Sequence, residues 1–147
     1  MKKGVTLIEL VATMAISSIL LAFLTAQLLH YNSVRLKNIK RQRDYFYCTE
    51  ALMFIDYEAG CAKNVSVNNN IMELKYLDES IRKQIKLNYE GKVVIIHIEN
   101  NDIKASNNLL TEVEQFEVMQ KNNTLYITVK RRNGEKYEKC IGIRAGI

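Results

Sequence analysis

Hydrophobic positions fall into three regimes along the chain. Residues 5–29, "VTLIELVATMAISSILLAFLTAQLL", are almost solidly apolar, with Glu9 as the one charged position. As an α-helix, residues 5–28 would rise about 36 Å at roughly 1.5 Å per residue, enough to cross a hydrocarbon core of about 30 Å. Beyond residue 29 the pattern becomes amphipathic: Tyr45, Cys48, Leu52, Ile55, Ala59 and Ala62 recur at alternating steps of three and four. Arg41 begins the same row, and Gly60 interrupts it near its end, so the helix is expected to continue with one buried stripe and to stop around residues 60–63.

The third regime is strand-like. From "NVSVNNNIMELKYL" onward, the runs "IMELKYL", "QIKLNYE", "VVIIHIE", "VEQFEVM", "TLYITVK" and "EKYEKCIGI" are separated by turn residues. The turn residues are Gly91, Asn100 with Asn101, Asn107 with Asn108, Asn122 with Asn123, and Asn133 with Gly134. "RRNGEK" between two alternating runs predicts an antiparallel hairpin. In its arms Leu125, Ile127 and Val129 share one face, as do Tyr137, Lys139, Ile141 and Ile143, and these faces are expected to cover the helix stripe. The fold class is therefore α+β, a long N-terminal helix packed on a small antiparallel sheet. The expected divisions are a leader (1–4), a membrane-spanning helix (5–29), its amphipathic continuation (30–62) and a β head (63–147).

Composition narrows the functional classes. The 147 residues include no proline and six glycines, so no proline-rich linker divides them. Positive charge is concentrated in "RLKNIKRQR", residues 35–43, which suits a solvated helix face beside anionic headgroups. A polyanion track is the competing reading, weakened because no aromatic residue is interleaved for stacking on bases. Cys48, Cys61 and Cys140 form no C-x-x-C or zinc spacing. Cys48 and Cys61 stand about 20 Å apart along a continuous helix, too far to bridge, while a Cys61 to Cys140 bridge is left open. His30 and His97 read as an interface and a strand residue. No nucleophile has an evident base, so neither catalytic residues nor a metal or cofactor is expected.

Glu9 is the residue that the apolar run does not explain. An unpartnered acidic side chain at mid-membrane costs roughly 2.5–3.5 kcal/mol on insertion scales. A secretory signal cut after Ala26 would leave Leu24 badly placed three positions before the cut, and a plain signal anchor leaves Glu9 without a role. Lys2 and Lys3 precede the run, whereas Arg35, Lys37, Lys40, Arg41 and Arg43 follow it. A bare positive-inside count would therefore place the C-terminal part in the cytoplasm.

"KKGVTLIELVATMAI" resembles the N-terminal signature of type IV pilins and pseudopilins: a short basic leader, glycine, then a hydrophobic helix with glutamate at its fifth mature position. Thr6, Leu7, Ile8 and Leu10 also fit, and Val5 departs from it, since the family most often has phenylalanine there. The resemblance implies cleavage after Gly4 by prepilin peptidase, Val5 as the N-methylated new terminus, and Glu9 as the carboxylate that pairs with the α-amino group of a neighbouring subunit. It also implies a single-pass subunit of the cytoplasmic or inner membrane with its head outside, against the charge count, later moved into a surface pilus or pseudopilus. Its partners would be other pilin or pseudopilin subunits and, indirectly, the assembly platform and ATPase machinery.

The order of the C-terminal runs is similar to that of minor pilins and of competence pseudopilins from Gram-positive bacteria. The absence of a proline near Ala26 and of a cysteine pair around a C-terminal loop also points to a minor subunit. Motility or adhesion, DNA uptake and protein secretion are not separated by these residues. The alternative within reach is a DNA-uptake or adhesive pilin whose terminal hairpin offers Lys130, Arg131, Arg132 and Lys136 to nucleic acid or wall polymer. A plain signal-anchored protein is the other.

Overall fold

In the computed structural model of the protein, which describes residues 6–143, the apolar run and the amphipathic stripe form one helix, α1 (Leu7–Cys61). It ends where Gly60 was expected to stop it. The chain divides into two units, residues 1–44 and 45–147, and α1 contributes to both.

The second unit holds the part of α1 from Tyr45 to Cys61 and eight strands: β1 (Asn64–Asn68), β2 (Ile71–Lys75), β3 (Ile81–Leu87), β4 (Val93–Glu99), β5 (Asp102–Leu110), β6 (Val113–Lys121), β7 (Thr124–Arg131) and β8 (Lys136–Gly142). Within each sheet consecutive strands pair antiparallel, in a five-stranded sheet of order β1-β2-β3-β4-β5 and a three-stranded sheet of order β6-β7-β8. The α+β class stands, with the expected strands distributed over two sheets. The chain passes from one sheet to the other between Leu110 and Val113, where Glu112 takes a φ of 57°.

Asparagine sets most of the turns, because its short amide tolerates the left-handed region. Asn69 and Asn70 between β1 and β2, and Asn100 and Asn101 between β4 and β5, all have positive φ, as two-residue hairpin turns of the mirror-image type demand. In the β7–β8 hairpin the Gly134 amide donates to the Arg131 carbonyl at 2.9 Å and Gly134 has a φ of 85°. This is a turn followed by a left-handed glycine, with Lys130 opposite Lys136 at its base.

Burial follows the stripe. Cys48, Leu52, Ile55 and Ala59 are buried in one cluster with Val65, Met72, Leu74, Ile85, Val93 and Ile95 of the larger sheet and Phe116, Leu125, Ile127, Val129 and Ile141 of the smaller. Tyr45 departs from the expectation. It is exposed, its ring centroid 6.2 Å from that of Tyr137, because a phenol at the stripe's end keeps its polar tip in water.

β5 was not expected as a strand. Its residues through Asn108 are exposed, so it shows no alternation to read, and Asn107 and Asn108 lie within it rather than in a turn. As an edge strand it pairs on one side only.

A polar group anchors the end of the stripe. Glu58, 6% exposed, accepts hydrogen bonds from the Lys83 ammonium at 2.8 and 2.9 Å and from the Tyr76 hydroxyl. Lys83 also lies 4.9 Å from the centre of the Tyr76 ring. Burial and the Glu58 carboxylate push the Tyr76 phenol above its ordinary range. Two predictions follow from these contacts. Glu58→Ala should destabilise the fold by about 3 kcal/mol, since it strands a largely buried ammonium, whereas Glu58→Met with Lys83→Met should stay within about 1 kcal/mol of the parent. Denaturant unfolding of the full chain in micelles reads both; an undamaged single variant would count against the pair.

Gly91 gives a third prediction. It has a φ of 77°, and a Cβ there would lie 2.8 Å from the Val113 carbonyl oxygen. Gly91→Ala should lower stability by about 1–3 kcal/mol, measured in the same assay, with an unchanged midpoint as the contrary result.

Candidate functional site

The start of α1 explains how a carboxylate can sit in the apolar run. Thr6 precedes the first helical turn and Glu9 lies three residues on, so "TLIE" is a capping-box sequence. Glu9 accepts from the Thr6 amide at 2.9 Å and from the Thr6 hydroxyl at 3.1 Å, both through Oε2. In return the Thr6 hydroxyl oxygen accepts from the Glu9 amide at 3.3 Å. Two amides that the helix end would leave unpaired are thereby satisfied, and the negative charge sits at the positive end of the helix dipole. The T-x-x-E spacing carries this signal, although the sequence reading assigned Glu9 to a partner subunit alone. Among the described residues both hydrogen bonds to the carboxylate use Oε2, which leaves Oε1 able to accept from another molecule.

The other polar side chains of the run follow the same rule. Thr13, Ser17, Ser18 and Thr25 donate to carbonyls three or four residues earlier, at 2.7 to 3.0 Å, so their hydroxyls need no water. Leu7, Ile8, Leu10, Val11, Met14 and Ile16 are exposed together with the rest of the apolar run. One helix among the described residues is long and apolar enough to cross a membrane, and none of its apolar window is buried within the protein. A helix apolar on every side and covered by nothing suits hydrocarbon or other helices, not water. Gly4 and Val5, the expected cleavage and methylation positions, lie outside the described residues.

The four hairpin cations do not form a free patch. Arg131 is 3% exposed: it continues the inward row of Leu125, Ile127 and Val129, donates to the Thr111 carbonyl at 2.5 Å and pairs with Glu112 at 3.4 Å. Strand alternation alone places it inward, and this removes it as a surface contact. Lys130 pairs with Glu114 at 3.1 Å, and Lys136 with Glu138 at 2.5 Å, which raises the Lys136 pKa above its ordinary value. Arg132, exposed, donates to the Glu90 carbonyl at 3.4 Å. Among the described residues Cys48, Cys61 and Cys140 form no disulfide; the first is buried and the other two exposed. Among the described residues no group of three His, Cys, Asp or Glu side chains could hold a metal ion.

Comparison with known proteins bears on the N-terminus alone. No curated protein and no solved structure gives a significant match. Residues 1–25 match the family model described as the prokaryotic N-terminal methylation motif. The chain thus carries the N-terminal signature of type IV pilins and prepilins, joined to an α+β head of one long helix and two antiparallel sheets.

Proposed function

We propose that the protein is a structural, non-enzymatic subunit, of the minor kind, of a type IV pilus or pseudopilus. In this reading prepilin peptidase removes residues 1–4, Val5 becomes the methylated terminus, and residues 5–29 hold the subunit in the cytoplasmic membrane with its head outside. Extraction of that helix then moves the subunit into the filament, where the same apolar surface faces other subunits. The observation that carries the reading is the methylation motif at the head of a helix whose membrane-length apolar run is uncovered on all sides.

Glu9 has a definite task in this scheme. Its Oε2 closes the capping box, and Oε1 accepts from the α-amino group of an adjacent mature subunit. The ammonium and carboxylate meet in low dielectric, where leaving one alone costs roughly 3–5 kcal/mol. The carboxylate therefore selects a register between neighbours.

Two substitutions test the scheme in cells. Gly4→Leu should leave a full-length, uncleaved precursor, visible by mass spectrometry of the membrane fraction; normal trimming would remove Gly4 from its assigned role. Glu9→Val should be cleaved and inserted normally, even with easier transfer into lipid, yet be depleted from sheared filaments by an order of magnitude or more. Equal incorporation of the cleaved variant would show that the carboxylate is no assembly contact.

A further inference from the structure

The filament reading leaves unused a polar cavity of about 600 Å³ at one end of the five-stranded sheet. Lys75 and Arg82 are cross-strand partners on the sheet face opposite the core residue Leu74, and both line it. Lys63, Asn100 and Asn101 contribute from the neighbouring connections, and Glu79 is the one carboxylate among its walls.

The walls are fixed by the fold. The Lys63 amide donates to the Lys75 carbonyl at 2.8 Å, and the Asn100 amide donates to the Ser80 carbonyl at 3.0 Å. This second bond ties the β4–β5 turn to the β2–β3 connection. Arg82 donates to the Asn101 side-chain oxygen and lies 3.6 Å from Glu73, so its guanidinium and that carboxamide are held together. Asp78 is engaged by Ser80, whose hydroxyl and amide donate at 2.6 and 3.0 Å and lower the Asp78 pKa. Lys63 and Lys75 make no ion pair among the described residues.

We propose that this cavity binds an acidic oligosaccharide. Its volume lies in the usual range of small-ligand sites, about 300–1,000 Å³. Two unneutralised ammonium groups supply charge-assisted hydrogen bonds to sugar carboxylates. Asparagine side chains on a rigid turn can donate to and accept from hydroxyls, which a polyol needs and a simple anion does not. Nucleic acid fits less well: Tyr76 is the one aromatic ring in the walls, and its hydroxyl is bound to Glu58, so successive bases find no stacking platform.

The test uses the full chain in nanodiscs of neutral phosphatidylcholine, with calorimetry of trigalacturonate, maltotriose and a short oligothymidylate. Trigalacturonate should bind at about millimolar or tighter, and maltotriose should not bind measurably. Lys63→Glu with Lys75→Glu, both exposed positions, should weaken trigalacturonate at least about tenfold with unchanged circular dichroism. Lys75→Gln provides a milder variant should the double fail to fold, with about a threefold loss expected. No trigalacturonate binding, equal binding of maltotriose, tighter binding of oligothymidylate, or undiminished binding by the folded variants would each overturn the proposal. None of these outcomes bears on cleavage or filament incorporation, so the site and the pilin reading stand or fall separately.

Discussion

A backbone in hydrocarbon has no water to bond with, and every polar group there must find its partner inside the protein. The first unit of the chain is organised by that demand. Helical bonding satisfies the interior of the run, side-chain hydroxyls return to carbonyls along it, and the Thr6–Glu9 box closes the end where four amides would otherwise be unpaired. The charge of Glu9 is thus compatible with an apolar neighbourhood because it is part of the helix's own bonding. The second unit inverts the arrangement, with α1 apolar on one stripe and the sheets supplying the cover. One helical backbone serves two solvents through a change in side-chain pattern alone.

The elements with strong periodicity are legible in the sequence. The buried positions Cys48, Leu52, Ile55 and Ala59 follow from a 3.6-residue period, and the inward faces of β7 and β8 follow from a period of two. The Asn100 and Asn101 turn was legible for a chemical reason, since few other residues accept consecutive positive φ angles. The methylation motif was legible because it is a local pattern of residues rather than a product of folding.

What was hidden depends on neighbours distant in sequence. β5 owes its extension to hydrogen bonds with β4, and its exposed side chains leave no trace of that in the hydrophobic pattern. β3 begins at Ile81, three residues before the run read as strand, because the turn at Asp78 and Ser80 releases the backbone earlier than its polar residues suggest. The division of the strands into two sheets turns on Glu112, a residue with no special preference for the left-handed conformation it takes. Charge patterns misled most at Arg131, where a basic run concealed an inward row. Its guanidinium bonds to the Thr111 carbonyl in the connection between β5 and β6. Glu58, Tyr76 and Lys83 are far apart in sequence, and only the packing of α1 on the sheet brings them together.

The polarity of β5 has a consequence for crowding. An anchored head is confined to a plane, where its encounters with copies of itself are far more frequent than in free solution. A flat apolar strand at the sheet margin would then offer unpaired amides and carbonyls to each passing neighbour. Asp102, Lys104, Ser106, Asn107 and Asn108 along that margin keep its side chains hydrated and include charge of both signs. In the proposed pilin role, subunits bearing such an edge would accumulate in a bilayer without zipping together through their sheets, and the apolar helices would remain available as the surfaces through which they associate.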